Sequence, residues 1–293
     1  MDKIVDGDLP ALYRAANEAS IETQRTYLRA VFWYGLLTIG GAALSTYGIV
    51  SKDLAILAAI ILLAAMGVSL LMAFKKFEGT WYRTRAVAES VKTISWHFMM
   101  RAAPYSDGLP PADVKAKFRQ TLERILSEHK DLGAVLASAL AAADQLTQKM
   151  QQVRESPLHE RVQIYRRDRA DDQCRWYAKK AEGNKRAGFW WFFAFVSLQA
   201  VAIGCALGRI AYPDYKYWPI QLFVVAAAII FGWIQVKRFR ELSAAYGVTA
   251  HEISIAMGEL DDVADDEANF ARIVSEIERA FSREHTQWVA RND

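Results

Sequence analysis

The sequence predicts an all-α membrane protein, with four transmembrane helices arranged as two hairpins and a cytoplasmic helical bundle. The first observation is that four runs of 20 or 21 residues contain no Asp, Glu, Lys or Arg: 31–50, 54–74, 188–208 and 217–236. At about 1.5 Å per residue, each run is roughly 30 Å long, which matches the hydrocarbon core of a bilayer. Four such runs are hard to bury as soluble helices in a chain of 293 residues. The second observation is that the remainder is densely charged and follows helical periodicity, with no strand pattern.

The first hairpin joins its spans through Ser51, Lys52 and Asp53 alone, a turn too short to fold independently. Trp33 and Tyr34 open the first span, where amphipathic rings favour the headgroup zone. Small residues are frequent in this hairpin, and they let helices approach closely in lipid. We expect them to pack within one hairpin, with packing between copies of the chain as the alternative.

The second hairpin begins in a helix that changes from charged to apolar along its length. No proline lies between Leu158 and Tyr212, so one unbroken helix is expected to run from water into lipid. The aromatic run Phe189–Phe193 marks the crossing. Gly204 and Gly208 form a GxxxG in this third span, which is again a close-packing pattern.

The polar parts of the chain are predicted to be amphipathic helices. Segment 111–140 carries its apolar residues close to one helical stripe, and segment 104–111 is the clearest linker. Six apolar residues near the end share one face: Phe270, Ile273, Val274, Ile277, Phe281 and Trp288. The predicted division is an N-terminal module 1–103, a linker with cytoplasmic helices 104–156, and a C-terminal module 157–293.

The distribution of positive charge predicts the orientation. An even number of crossings places both termini and the middle segment on one side of the membrane. On that side, 14 Lys or Arg lie within fifteen residues of a span end, whereas the two short turns hold 3. The positive-inside rule therefore places the termini in the cytoplasm. The first 30 residues are polar, so no secretory signal peptide is expected.

Residue patterns for catalysis or metal binding are missing from the sequence. The five histidines are scattered without ligand spacing, and His251-Glu252 does not complete an HExxH motif. Cys174 and Cys205 lie in a charged helix and in a span, so neither a disulfide framework nor a metal cluster is expected. We expect no enzymatic activity, no bound metal and no cofactor, because a nucleophile, a base and an oxyanion site cannot be assembled.

Four segments resemble the signatures of SLATT domains, the two-transmembrane effector domains of bacterial conflict systems. LPALYRAANEASIETQRTYLRA and WYRTRAVAESVKTISW resemble one SLATT group, whereas YRRDRADDQCRWYAKKAEGNKRAGFWW and IVSEIERAFSREHTQWVAR resemble a second. The chain is therefore similar to a tandem of two SLATT modules over nearly its whole length.

The resemblance implies a bacterial inner-membrane effector of anti-phage defence that forms a homo-oligomeric pore or disrupts the membrane. Such a pore would be gated by a nucleotide signal and would cause membrane depolarisation and growth arrest. The implied partner makes or senses that nucleotide. Some such partners are nucleotidyltransferases, including the Hailong type, whose signal is a short DNA oligomer. The alternative is a membrane-anchored scaffold that recruits a soluble effector without conducting ions.

A conducting pore needs several copies around an axis, because four spans outline at best a narrow path. No ionisable residue lies in a span, which argues against an ion-coupled pump and favours gating at an apolar constriction. Five polar residues are candidates to line the path: Thr38, Ser45, Ser69, Ser197 and Gln199. For a single hydroxyl we favour the alternative, a bond back to its own helix. Gln199 is different, because an amide in the middle of a span needs a partner.

The basic helix preceding the third span is the candidate ligand site, with nine Lys or Arg and four acids between positions 161 and 186. Four arginines and two aromatic residues are the candidates: Arg161, Tyr165, Arg166, Arg169, Arg175 and Trp176. Repeated around an oligomer axis, the arginines would bind the phosphates of a nucleotide or oligonucleotide, and the rings would stack on its bases. The alternatives are ion pairs along a solvated face, contact with anionic lipid headgroups, and packing between helices.

Overall fold

The computed structural model describes residues 2–47, 51–106, 108, 110–140, 144–260, 263 and 266–289. For 47, 137–140 and 282–289 it describes the backbone alone. Within these residues the chain is helical, without a strand. The helices are α1 (Ala11–Tyr47), α2 (Lys52–Lys75), α3 (Phe77–Met99), α4 (Pro111–Glu128), α5 (Gly133–Leu140), α6 (Gln148–Glu155), α7 (Leu158–Tyr165), α8 (Asp171–Ala211), α9 (Ile220–Lys237), α10 (Phe239–Glu259) and α11 (Glu267–Val289).

Four of these helical stretches are long and apolar enough to cross a membrane. They contain the second and third predicted spans and most of the first and fourth, and the predicted all-α membrane fold is confirmed. Residues 48–50 of the first span lie outside the described part of the chain. The fourth span differs from its predicted start at Tyr217, because α9 begins only at Ile220. Pro219 is its N-cap, a position where the missing backbone N–H of proline costs nothing.

The second helix of each hairpin, α2 and α9, ends in the same kind of C-cap. The C-cap residues are Lys76 after α2 and Arg238 after α9, and both have left-handed backbone conformations, with φ of 45° and 44°. The backbone N–H of Lys76 donates to the carbonyl of Met72, and that of Arg238 donates to the carbonyl of Ile234. The two halves of the chain therefore repeat one architecture at positions where their sequences share little beyond Lys-X-Phe.

The helices divide into two compact units. The spanning unit comprises residues 24–77 and 182–243, which include all four spans. The bundle unit comprises residues 1–23, 78–181 and 244–293, which include the polar helices. Because α1, α8 and α10 each contribute to both units, every hairpin is covalently continuous with the bundle through helix.

One apolar core fills the bundle unit, and both halves of the chain build it. Phe98 and Phe118 meet with ring centroids 5.0 Å apart, and Tyr165 meets Phe270 at 6.2 Å. The predicted stripe of α11 is buried from Phe270 to Phe281, whereas Trp288 lies outside the described side chains. Most of the described stripe in segment 111–140 is also buried, with Leu126 half-buried and the side chain of Leu140 outside the described part. The helix breaks at His129 into a short 3₁₀ turn before α5.

Close packing in the spanning unit depends on three glycines, Gly35, Gly41 and Gly208. A Cβ added at Gly41 would clash with Leu62, and one added at Gly208 would clash with the ring of Trp218. These two contacts lie within a single hairpin, as expected from the sequence. A Cβ added at Gly35 of the first hairpin would instead clash with Ile229 of the second, so close packing also joins the two hairpins of one chain. Gly204, the other member of the GxxxG pair, has no atom within 4 Å of an added Cβ.

Alanine at Gly208 is therefore expected to destabilise the spanning unit by about 1–3 kcal/mol, because the Trp218 ring must move. The matched change Gly204→Ala is expected to be neutral or to stabilise by up to about 1 kcal/mol, since alanine favours a helix more than glycine does. Denaturation in mixed micelles, followed by tryptophan fluorescence, measures both. Equal midpoints for the two variants would contradict this account of Gly208.

Candidate functional site

The approach to the third span contains an irregular turn of helix. Residues 158–211 form one continuous helix of 54 residues, as the absence of proline predicted. Within it, Arg166–Ala170 is a π-helix that joins α7 to α8. Short π segments interrupt the regular hydrogen-bond ladder and occur frequently at functional sites. In this one, the consecutive residues Asp168, Arg169 and Ala170 are all buried.

A buried ion pair connects this π-helix to α11. Arg169 is 1% exposed and Glu278 is fully buried. The Nε and Nη2 atoms of Arg169 donate to the two carboxylate oxygens of Glu278, at 2.8 and 2.7 Å. Such a bidentate geometry makes the pair directional as well as charged.

Two hydroxyl groups also bond to the Glu278 carboxylate. The hydroxyl of Thr93 donates to Oε2 at 2.9 Å, and the hydroxyl of Tyr165 donates to Oε1 at 3.2 Å. The guanidinium of Arg169 lies 4.3 Å from the centre of the Phe281 ring. Three helices, α3, α7 and α11, together with the π-helix therefore converge on one carboxylate.

A second arginine of the same stretch is also internal. Arg161 is 1% exposed, and its Nη2 donates to Glu267 at the start of α11. Its other nitrogens donate to the backbone carbonyls of Ser156 and Met100, at 3.1 and 3.2 Å. We call Thr93, Arg161, Tyr165, Arg169, Glu267 and Glu278 the charged core cluster.

The protonation states of the cluster follow from burial and from its internal pairing. Burial disfavours the charged form of Arg169, but attraction and hydrogen bonds from Glu278 outweigh it and raise the pKa of Arg169. Burial, followed by the Glu278 charge, raises the pKa of Tyr165 well above its usual value, so the hydroxyl stays protonated as a donor. Nearby, burial and the charge of Arg169 lower the pKa of Lys92.

The N-terminal segment is tied to the same π-helix. The buried carboxylate of Asp168 accepts the backbone N–H of Ile4 at 3.0 Å and a side-chain bond from the adjacent Arg167 at 2.6 Å. Burial opposes ionisation of Asp168, but these two bonds prevail and lower its pKa. The π-helix that precedes α8 is thus bonded both to Ile4 near the N-terminus and to Glu278 of α11.

The six predicted ligand residues do not form one surface. Arg161, Tyr165 and Arg169 are buried and bonded to acids of α11. Arg166 is half-buried, and Arg175 is exposed with its Nε donating to the carbonyl of Asp171 at 3.1 Å.

Trp176 is 38% exposed and packs edge-on against Tyr246, with centroids 5.6 Å apart. A ligand role for these six residues stays a prediction, and its accessible members are Arg166, Arg175 and Trp176.

The five polar candidates of the spans also differ in their surroundings. Thr38 donates to the carbonyl of Tyr34 at 2.7 Å, and Ser69 donates to that of Met66 at 2.8 Å, so the expected back-bonding is confirmed for both. Ser45 and Gln199 are exposed, and Ser197 is half-buried. Whether these five residues line a path for ions stays a prediction.

The acidic members of the cluster were not predicted, although Glu278 carries a sequence signal. It lies four residues after Val274 and three before Phe281, within the apolar stripe of α11. An acid at such a position is rarely buried without a partner. Its partner could not be identified from the sequence, because Arg169 lies 109 residues away.

The cluster is suited to holding α11 in position. Its side chains form two groups, the Arg161–Glu267 pair and the bonds from Thr93, Tyr165 and Arg169 to Glu278. Both groups hold α11 against the polar part of helix 158–211. The fold and this cluster together define a helical membrane protein whose polar helices enclose buried ion pairs.

Comparison with known families gives this class a more specific identity. Residues 10–162 match the family model for SMODS and SLOG-associating 2TM effector domain 3, and residues 165–288 match that for domain 1. The chain belongs to the SLATT family, as a tandem of two such domains, which are membrane effector domains of anti-phage and conflict systems. No significant match was found among curated proteins or among solved structures. The predicted boundary near Pro157 stays a prediction.

Proposed function

We propose that this protein is a non-catalytic pore-forming effector of bacterial anti-phage defence, assembled from several copies in the inner membrane with its termini in the cytoplasm. The signal is a nucleotide or short oligonucleotide made by a partner nucleotidyltransferase. Opening of the pore depolarises the membrane and arrests growth. Membership in the SLATT family supports the effector role, and the four spans support its place in a lipid bilayer.

The observation that carries the proposal is the continuity of helix 158–211. Its polar part holds Arg161, Tyr165 and Arg169 of the charged core cluster, and its apolar part is the third span. A signal that alters the bundle therefore acts on a spanning helix without an intervening loop. The lack of ionisable residues within the predicted spans favours an apolar gate.

Ion flux from vesicles tests this function. Purified protein in phosphatidylcholine and phosphatidylglycerol vesicles that enclose a potassium-sensitive dye is expected to pass ions when short oligonucleotides are added or removed. Assembled protein that passes no ions in either condition would contradict the pore and favour the scaffold.

The ligand part is tested on the accessible arginines. Arg166→Glu/Arg175→Glu is expected to weaken oligonucleotide binding at least tenfold, because each arginine supplies a phosphate contact. The matched control Lys117→Glu/Arg119→Glu makes the same charge change on exposed positions of α4. Equal binding by both variants would place the ligand elsewhere.

A further inference from the structure

The third span has an outward-facing stripe at heptad spacing. Phe192, Val196, Gln199, Ile203, Ala206 and Ile210 follow one another at alternating steps of four and three residues. Such spacing forms the seam of helices that pack side by side. Four of the apolar members are strongly exposed, from 44% at Val196 to 77% at Ile210, and the fifth, Ala206, is half-buried. Only 6% of this span's most apolar window is buried within the chain.

The stripe has one polar member, and it lies at the depth where lipid cannot satisfy it. Gln199 is the twelfth of the 21 residues in the run 188–208, so its amide lies near the middle of the hydrocarbon core. Its side chain is exposed, and among the described residues it has no hydrogen-bond partner. An amide in that position is costly unless another helix supplies a donor and an acceptor.

We propose that Gln199 is the central contact of an interface between copies of this chain, in which the third spans pack along the heptad stripe and their amides bond to one another. A glutamine side chain carries both donors and an acceptor, so identical residues from two copies satisfy each other reciprocally. A second copy is the occupant because this self-complementary group lies within an otherwise apolar stripe. A single polar residue at a seam position also fixes register between helices.

This inference rests on the proposed function only in that both require self-association. It assigns the contact that holds copies together, and it makes no statement about conduction. The third span then has its inner side toward its own hairpin, where Trp191 meets Trp233 at 6.2 Å, and its stripe toward the next copy.

Energy transfer between labelled copies tests the contact. Full-length protein carrying donor or acceptor fluorophores on an N-terminal tag is placed in phosphatidylcholine and phosphatidylglycerol vesicles over a range of protein densities. Gln199→Met keeps the length of the side chain and removes the amide. This variant is expected to need about tenfold higher density for half-maximal transfer, a change of ~1.4 kcal/mol. Gln199→Asn, which keeps an amide, is expected to remain within about threefold of wild type.

The matched control is Gln221→Met, at the second residue of α9, where an amide can reach the headgroup region. It is expected to associate as wild type does. The inference is overturned if Gln199→Met associates at wild-type density, which means that lipid alone covers the stripe. It is also overturned if Gln221→Met is weakened equally, or if wild-type copies never associate. If copies associate through Gln199 in vesicles that pass no ions, this interface is supported and the proposed pore function is contradicted.

Discussion

Glu278→Leu is expected to destabilise the bundle unit by about 3–5 kcal/mol, because it leaves the buried guanidinium of Arg169 without its counter-charge. The substitution also removes the acceptor of Tyr165 and Thr93. Chemical denaturation of the detergent-solubilised protein, followed by circular dichroism, measures the loss as a lower midpoint. This is the largest effect that we expect from a single substitution in the bundle.

Two further variants make the prediction specific. Glu276→Leu, two residues away on α11, removes an exposed partner of Arg272 and is expected to change stability little. The double variant Arg169→Met/Glu278→Leu replaces both charges with apolar groups and is expected to recover much of the loss. A double variant as unstable as Glu278→Leu, or a Glu276→Leu variant equally damaged, would contradict the assignment of Arg169–Glu278 as the paired core charge.

Val201→Arg is expected to make insertion of the third span less favourable by about 2.5–3.5 kcal/mol, the cost of an arginine near the centre of a spanning helix. Val201 is 45% exposed and is the fourteenth residue of the run 188–208. Its exposed surface faces lipid if the helix crosses the membrane. The fraction of inserted chains, read from glycosylation of a reporter site in the turn after α8, measures the change.

The control is the same valine-to-arginine substitution on a helix of the bundle unit. Val248 is 58% exposed on α10, in the part that belongs to the bundle unit. Val248→Arg is expected to leave insertion unchanged, since water solvates the new charge there. If the two variants insert alike, or if wild-type protein is extracted from membranes by an alkaline wash, lipid is not the solvent of the third span.

The positions of the spans could be predicted because lipid imposes a requirement on each helix separately. A helix in hydrocarbon must be about 20 apolar residues long whatever its neighbours are, and 54–74 and 188–208 meet this requirement on their own. Small deviations arose from local chemistry, as at Pro219, which delays the start of α9. The burial of Phe270, Ile273 and Ile277 was similarly readable from their spacing on α11.

The candidate site was harder to predict, because a basic residue has the same sequence signature whether it faces water or an acid. Arg166 and Arg169 lie three residues apart in a charged helix, yet the first is half-buried and the second is fully buried and paired with Glu278. The π-helix between α7 and α8 changes which side chains point inward, and nothing in the residues RRDRA signals it.

By itself, the sequence determined the number of spans, the two hairpins, the unbroken helix 158–211 and the resemblance to the tandem SLATT family, since each depends on local composition or spacing. Only the tertiary structure decided that both halves of the chain share one core and that Arg169 pairs with Glu278. The physical reason is that buried charges are stabilised by the particular partner that folding brings near, and a pair separated by 109 positions leaves no periodic trace in the chain.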